Sequence, residues 1–163
     1  MIIRDATDAD IPAITAIYND AIAHTVSVWH DDVVDTDNRL AWLRDHQEHG
    51  YPVLVAELDG AVVGYARYGE FRHFSGYRYT MEHSVFIRED ARRQGIGRAL
   101  MAELIERARG GGVHVLVGAI EAGNTGSIAL HRELGFEDAG VLREVGWKAD
   151  RWLDLAFLTL RVR

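Results

Sequence analysis

The sequence contains no cysteine and only two prolines among its 163 residues. The lack of cysteine excludes a disulfide framework, a thiolate nucleophile and a cysteine-based metal site. No apolar stretch approaches the ~20 residues that a membrane-spanning helix needs, and the first residues lack the basic start and apolar core of a signal peptide. We therefore expect a protein of the cytoplasm with no membrane partner.

Positive charge is also scarce, because 18 lysines and arginines stand against 25 acidic residues and the formal net charge is −7. Nucleic-acid binding is driven by the neutralisation of phosphates over a basic surface, so nucleic acid is not an expected partner. The chain has the length of one ordinary domain and carries no repeats or low-complexity segments. We expect a single domain over residues 1–163.

Hydrophobic periodicity predicts helices and strands that alternate, which is typical of the α/β class. Asp59-Gly60 predicts a hairpin between two strands within residues 51–71. Further strands are expected over 1–5, 79–87, 113–121, about 136–145 and 153–162. Helices are expected over 6–22, 35–50, 95–108 and 122–135.

Several polar residues mark the expected helix ends. Thr7 and Asp10 resemble a capping box, Thr36 is a candidate N-cap of the second helix, and Gly50 closes that helix. His46 and His49 lie three residues apart on it, but the HExxH spacing of a zinc site is absent. We expect these two histidines on a solvated helix face rather than on a metal.

The segment REDARRQGIGRALM, residues 88–101, concentrates positive charge in this acidic chain. It follows an apolar strand and enters a helix, so unpaired backbone N–H groups, the helix dipole and arginines would together attract phosphate. A P-loop would need GxxxxGK[ST], which is absent, and Leu100 takes the place of the last glycine of a dinucleotide fingerprint. The segment favours an anionic ligand, the alternative being an ordinary turn with surface arginines.

The order Arg92-x-x-Gly95-x-Gly97 is similar to the pyrophosphate-binding signature of the GNAT acetyltransferases, [QR]-x-x-G-x-[GA]. NTGSIALHRELGF resembles the next GNAT signature. Together with IYNDAI, GYRYTMEHSVFI and RWLDLAFLTL, these motifs resemble the phosphinothricin and methionine-sulfoximine N-acetyltransferases over essentially the whole chain.

The resemblance implies the GNAT fold, a central mixed β-sheet flanked by helices, and a metal-free reaction with acetyl-CoA. The acetyl group would pass to the α-amino group of a small amino acid or analogue by direct attack in a ternary complex. The backbone of Val85–Ile87 would bind the pantetheine arm as an added strand would. The cofactor-binding residues that the resemblance implies are Val85, Phe86, Ile87, Arg92, Arg93, Gln94, Gly95, Ile96, Gly97, Arg98 and Asn124.

Two catalytic residues follow from the same resemblance. An α-ammonium group must lose a proton before it attacks a thioester, and Glu82 is the implied general base. His131 stands where many GNAT enzymes carry a tyrosine, and it would protonate the leaving thiolate. The alternatives are a Glu82 that pairs with an arginine and a His131 that packs and hydrogen-bonds locally.

An amino-acid acceptor brings a carboxylate, for which an arginine is the preferred partner. Arg72 is the candidate for this role and Phe74 for an apolar wall, whereas a solvated Arg72 is the alternative. The implied substrate-binding residues are Arg72, His73, Phe74, Glu82, His83 and Ser84. His83 and Ser84 are neighbours on a strand and should point to opposite faces, which argues against a serine–histidine nucleophilic pair.

The sequence departs from the family pattern at a few positions and leaves other functions open. Phe71, His73 and Asp150 replace a common tryptophan, proline and glycine, and Arg93 also occupies a frequent glycine position.

The alternatives to a small-molecule acetyltransferase are an acetyltransferase of protein N-termini or lysines and a non-catalytic acetyl-CoA sensor. Homodimers are common in the family, and the C-terminal strands could form one.

Overall fold

A computed structural model describes residues 1–162, which form seven strands and four α-helices. The strands are β1 (Ile2–Asp5), β2 (Val53–Leu58), β3 (Ala61–Glu70), β4 (Thr80–Ile87), β5 (Val115–Glu121), β6 (Glu137–Lys148) and β7 (Arg151–Arg161). The helices are α1 (Ile11–His24), α2 (Thr36–Glu48), α3 (Ile96–Gly110) and α4 (Thr125–Glu133). None of these helices is long and apolar enough to cross a membrane.

The strands form one sheet in the order β1-β2-β3-β4-β5-β7-β6. All neighbours are antiparallel except β4 and β5, which are parallel and are joined through α3. Asp59 and Gly60 form the predicted hairpin turn between β2 and β3, both with the positive φ that a tight turn of this kind requires. The predicted mixed sheet with flanking helices is thereby confirmed.

Local capping agrees with the sequence at one helix and corrects it at another. The Asp10 carboxylate accepts a hydrogen bond from the Thr7 N–H at 2.8 Å, and α1 begins one residue later. The N-cap of α2 is Asp35 rather than Thr36, because the Asp35 carboxylate accepts from the Asn38 N–H at 2.8 Å. The predicted N-cap at Thr36 is therefore wrong by one residue, because the side chain that bonds to a free N–H of the first turn is that of Asp35.

The second helix also places its two histidines differently from each other. His49 is exposed as expected, but His46 is buried, which contradicts the predicted solvated position. The Nδ1–H of His46 donates to the Trp42 carbonyl at 3.0 Å, and its ring packs against the Trp42 ring with centroids 4.7 Å apart. His46 is therefore part of the packing between α2 and the sheet.

Both faces of the sheet carry a hydrophobic core. On one face, Leu100 and Leu104 of α3 pack with Met81 of β4. On the other, Tyr65 of β3 packs in a cluster with α1 and α2 and contacts Phe86 of β4 with ring centroids 5.2 Å apart. Odd-numbered residues of β4 thus face α3 and α4, and even-numbered residues face α1 and α2.

Strands β4 and β5 pair only from Thr80–Val115 to His83–Gly118. Beyond that pair both strands continue, β4 to Ile87 and β5 to Glu121, without pairing to each other. A parallel pair that separates in this way leaves unpaired backbone groups on one edge of β4. The divergence opens a gap at the centre of the sheet.

A buried lysine joins the C-terminal hairpin to the first helix. The ammonium group of Lys148, at the end of β6, donates to the carbonyls of Ile22 and Val28 at 2.6 and 2.5 Å. Gly146 lies against the indole of Trp29, where an added Cβ would clash with the ring. These contacts fix the segment that follows α1 against β6.

Candidate active site

A cavity of about 850 Å³ lies beside the gap between β4 and β5. Its walls come from β4, the turn before α3, the N-terminus of α3 and the N-terminus of α4. The predicted cofactor residues that line it are Val85, Phe86, Ile87, Arg92, Arg93, Gly95, Ile96, Gly97, Arg98 and Asn124. Gln94 does not line it, and its side-chain amide instead donates to the Asp90 carbonyl at 3.4 Å.

The turn before α3 presents positive charge and free N–H groups to this cavity. The first backbone bond of the helix runs from the Ala99 N–H to the Gly95 carbonyl, so the preceding N–H groups have no intrahelical acceptor. Gly95 has φ 78° and Arg93 has φ 61°, so both residues adopt a left-handed backbone conformation. Glycine adopts this conformation without strain, which explains why a glycine is frequent where this chain has Arg93.

The three arginines in the turn before α3 and in the first turn of α3 differ in their partners. Arg98 forms an ion pair with Glu133 of α4, and the Nε–H of Arg92 donates to the Ile87 carbonyl at 3.4 Å. Arg93 forms no ion pair with any other residue in the described part of the chain. Its guanidinium, together with the N-terminus of α3, suits the pyrophosphate of acetyl-CoA.

A smaller pocket of about 80 Å³ lies at the vertex of the gap. It shares Val85, Phe86 and Asn124 with the large cavity, and it also reaches His83 and His131. The large cavity therefore leads towards the residues where β4 and β5 separate. A thioester carried by a ligand that fills the cavity would lie close to the sheet at this point.

His83 and His131 form a buried pair beneath that pocket. Their Nε2 atoms are 2.8 Å apart, and Nδ1 of His131 is 2.7 Å from the Ser127 carbonyl. A carbonyl only accepts, so Nδ1 of His131 carries the hydrogen and its Nε2 accepts from the Nε2–H of His83. Both nitrogens of His131 are thus occupied and its Nε2 carries no hydrogen, so donation to a thiolate requires the contact with His83 to open and Nε2 to gain a proton.

Burial lowers the pKa of both histidines below their ordinary value of about 6.5. The unfolded chain gains protons below pH 6.5 that the folded chain does not bind, so the free energy of unfolding falls as pH falls from 6.5. The free energy of unfolding can fall by at most about 1.4 kcal/mol per pH unit for each histidine.

Replacing His83 with glutamine removes one of these groups and retains an N–H donor for His131. We expect a shallower decrease in the free energy of unfolding between pH 7.5 and 5.5, measured by urea denaturation. His30→Gln, at an exposed position between α1 and α2, controls for the loss of an imidazole. Equal slopes for the wild type and His83→Gln would show that His83 is not held neutral by the fold.

Glu82 lies on the opposite face of the sheet from the histidine pair, next to the end of the β4–β5 pairing. Burial raises the pKa of its carboxyl group, and the positive charges of Arg67 and Arg72 partly oppose this increase. Within residues 1–162 its carboxylate forms no ion pair, although Arg67 and Arg72 are close enough to affect its pKa. A carboxylate with a raised pKa is suited to accept a proton near neutral pH.

The predicted substrate loop after β3 is largely exposed. The ring of Phe74 is exposed, and His73 contacts Glu70 with a distance of 2.5 Å between Nδ1 and the carboxylate. The guanidinium of Arg72 lies over the Phe71 ring and is close enough to Glu82 to affect the pKa of that residue. The structure thus brings Arg72 and Ser84 near Glu82, while His73 and Phe74 line neither of the two pockets.

Arg67 is a neighbour of Glu82 that the sequence analysis did not identify. It lies on β3 beside β4, is mostly buried, and its guanidinium donates to the Glu82 carbonyl at 3.4 Å. The available signal was a charged residue at an inward position of GYARYGE, because Tyr65 on the same face is buried. A single sequence does not reveal which neighbour such an arginine faces.

Residues 14–136 match the Acetyltransferase (GNAT) family model. The chain therefore belongs to the GNAT acetyltransferases, and it is an N-acetyltransferase. It is 53% identical to the L-methionine sulfoximine/L-methionine sulfone acetyltransferase of Pseudomonas aeruginosa, over 98% of this chain and 94% of the relative. This confirms the predicted family and fold.

Two solved structures are similar over nearly their whole length. A putative acetyltransferase from Salmonella typhimurium, solved with its cofactor acetyl-CoA, is 50% identical with a TM-score of 0.99 and covers 100% of this chain and 94% of its own. A ribosomal-protein-alanine N-acetyltransferase from Brucella melitensis is 55% identical with a TM-score of 0.98 and covers 99% of each chain.

Proposed function

We propose that the protein transfers the acetyl group of acetyl-CoA to the α-amino group of a small amino acid or analogue. The proposed acceptors are of the phosphinothricin, methionine sulfoximine or methionine sulfone type, and the attack is direct, in a ternary complex. The observation that carries this proposal is the half-buried carboxylate of Glu82, which forms no ion pair within residues 1–162 and lies next to the point where β4 and β5 separate. The similarity to the Pseudomonas enzyme supports the acceptor class.

The cofactor would be held mainly by backbone groups. The free edge of β4 at Val85–Ile87 offers N–H and carbonyl groups to the pantetheine arm, and the turn before α3 offers Arg93 and the helix N-terminus to the pyrophosphate. Asn124 lines the cavity while its side chain accepts from the Ser127 N–H at 3.2 Å. That bond fixes the N-terminus of α4 against the cofactor cavity.

Glu82 would act as the general base. Its carboxylate takes a proton from the acceptor ammonium, directly or through water, and the free amine attacks the thioester carbonyl carbon. A C–N bond forms as the nitrogen loses its second proton to water, the C–S bond breaks, and the electron pair leaves with sulfur as the CoA thiolate. The thiolate then takes a proton from water, or from His131 after its contact with His83 has opened and its Nε2 has taken up a proton from water.

The acceptor would lie on the face of the sheet that carries Glu82 and Ser84. Arg72 would bind its α-carboxylate, and a rearranged loop would bring Phe74 and His73 over it. The side chain of His83 lies on the opposite face of the sheet, so it would face the cofactor rather than the acceptor. Because the loop is exposed in the structure, this part of the site is the most adaptable.

Three further properties belong to the proposal. The chain would act as one domain over residues 1–163, in the cytoplasm, and as a homodimer. The dimer is supported by an apolar surface on the β6–β7 hairpin. Its exposed side chains are Val141, Leu142, Val145, Trp147 and Trp152.

The test is the release of free CoA thiol from acetyl-CoA with a panel of amino acids and analogues. We expect turnover with methionine sulfone, methionine sulfoximine or phosphinothricin, and an N-acetylated product by mass spectrometry. The matched control is 4-(methylsulfonyl)butanoate, which retains the carboxylate and sulfone but lacks the amine. Intersecting initial-velocity plots, with no acetylated protein after incubation with acetyl-CoA alone, would support direct transfer.

The name of the Brucella structure favours a second candidate, acetylation of a protein N-terminus. Peptides that begin with alanine therefore belong in the same panel. Turnover on such peptides alone would contradict the small-molecule proposal and support acetylation of protein N-termini. Binding of acetyl-CoA without turnover on any amine would support a non-catalytic acetyl-CoA sensor.

A further inference from the structure

One side chain of the small pocket comes from the segment between α1 and α2. Ser27 lines this pocket and also the large cavity, so it lies where the two spaces meet. Ser84 lines the small pocket as well, and it lies two residues after Glu82 on the same face of β4. Glu82 is therefore roughly 7 Å along the strand from this pocket, a distance that its side chain and one water span.

The hydrogen of the Ser27 hydroxyl has a fixed direction. Oγ1 of Thr25 is 2.6 Å from the Ala21 carbonyl, and because a carbonyl only accepts, the Thr25 hydroxyl donates there. The same oxygen is 2.6 Å from Oγ of Ser27, so in that contact the Ser27 hydroxyl donates to Thr25. The Ser27 N–H also donates to Oγ1 of Thr25, at 3.1 Å. Thr25 thus takes both hydrogens that Ser27 can donate.

The Ser27 oxygen is left as a hydrogen-bond acceptor without a partner. A hydroxyl oxygen has two lone pairs, and no group within residues 1–162 donates to this one. The segment around it is held in place, because the Nε1–H of Trp29 donates to the Val26 carbonyl at 2.8 Å and Thr25 ends α1. The oxygen is therefore oriented before any ligand binds, and this reduces the entropy cost of a contact with it.

An oxygen that only accepts distinguishes between the groups that would meet in the small pocket. The thioester carbonyl and the leaving thiolate are acceptors themselves and form no hydrogen bond with it. The ammonium group of an amino acid brings three N–H groups. If one of them binds Ser27, another remains for Glu82, and the nitrogen is held in one orientation for the attack.

We propose that Ser27 binds the amino group of the acceptor substrate by accepting one of its N–H groups. This inference rests on the proposed function and adds a second contact to the amine besides Glu82. Ser27 takes no proton, so its contribution is to the binding and orientation of the amine. The affinity for acetyl-CoA does not depend on this contact.

The first test is the kinetics of Ser27→Ala, with methionine sulfone as the acceptor. We expect kcat/KM for the acceptor to fall by roughly ten- to hundredfold, because a hydrogen bond to a charged group is lost. Calorimetric titration should give an unchanged affinity for acetyl-CoA. The matched control is Thr36→Ala, which removes an exposed hydroxyl at the start of α2, outside both pockets.

The amide N–H groups of the pantetheine arm are the other donors that could reach Ser27 from the large cavity. A weaker affinity for acetyl-CoA in Ser27→Ala would assign the contact to them and overturn the inference. An unchanged kcat/KM for the acceptor would overturn it as well.

Binding measurements test the contact without turnover. Methionine sulfone and 4-(methylsulfonyl)butanoate, which lacks only the amine, are titrated by calorimetry into the enzyme saturated with CoA, which cannot react. We expect the wild type to bind methionine sulfone more tightly, and Ser27→Ala to lose most of this difference without a change for the butanoate. This result without acetylation of any acceptor would support the contact and contradict only the proposed reaction. Equal affinity of the wild type for the two ligands, or an equal change for both in Ser27→Ala, would overturn the contact and leave the reaction to the turnover assay.

Substitutions of Thr25 test the direction of the Ser27 hydrogen. Thr25→Val removes the oxygen that takes this hydrogen, so the Ser27 hydroxyl becomes free to rotate and loses its orientation towards the amine. We expect weaker binding of methionine sulfone to the CoA complex of Thr25→Val than to that of Thr25→Ser, which retains the hydroxyl. Equal affinities of these two variants for methionine sulfone would contradict an oriented Ser27.

Discussion

Replacing Glu82 with glutamine should lower kcat/KM for an amino-acid acceptor by roughly two to four orders of magnitude, because the amine loses its general base. The affinity for acetyl-CoA should stay unchanged, since Glu82 does not line the large cavity. Steady-state kinetics and calorimetric titration with acetyl-CoA measure the two quantities separately. The control is Glu48→Gln, at an exposed position of α2.

The pH dependence gives an independent check on the same residue. Only the ionised carboxylate accepts a proton, so kcat/KM should decrease as pH falls through the pKa of Glu82. Burial raises this pKa, which moves the acidic limb of the profile above the range of an exposed glutamate. Glu82→Gln should lose this limb; a variant with wild-type activity, or with the limb intact, would assign the base to another group.

The double variant Arg93→Gln/Arg98→Gln should raise the KM for acetyl-CoA by about a hundredfold. If the cavity holds acetyl-CoA as proposed, each substitution removes one charge-assisted contact to the pyrophosphate, and such a contact is worth about tenfold or more. The N-terminus of α3 remains and supplies the residual binding. The KM of the wild type for acetyl-CoA should also rise with salt concentration, because dissolved ions screen the charges of this partly exposed site.

S-Acetylpantetheine, which lacks the pyrophosphate, is the matched substrate for this variant. Its kcat/KM should be equal in the wild type and in the double variant. Arg44→Gln/Arg161→Gln changes the net charge equally at exposed positions outside the cavity and should bind acetyl-CoA normally. A loss on both thioester substrates would place the effect in the fold rather than at the pyrophosphate.

Local sequence signals were sufficient for most of the fold. Asp59-Gly60 specified a hairpin, because only turn residues tolerate the positive φ of that position. The glycines at 95 and 97 marked both the start of α3 and the cavity wall, since a turn into a helix exposes N–H groups in the same place. Such features depend on residues close in the chain.

Features that depend on distant contacts were missed. His46 has the spacing of a surface residue on a polar helix, and its burial comes from strands that pack beneath it. The position of Arg67 beside Glu82 follows from the pairing of β3 with β4, residues 15 apart in sequence. The partner of His131 was equally hidden, because His83 lies 48 residues away and only the sheet and α4 bring the two rings together.

The ammonium group of Lys148 connects parts of the molecule that are usually considered separately. It holds the carbonyls on either side of Thr25–Ser27, and these three residues line the cavity assigned to acetyl-CoA. A change in the turn between β6 and β7 that draws Lys148 away would release this wall. The β6–β7 hairpin thus helps to fix one wall of the proposed cofactor site. Substitutions in this hairpin, far from the reacting atoms, should therefore weaken the affinity for acetyl-CoA.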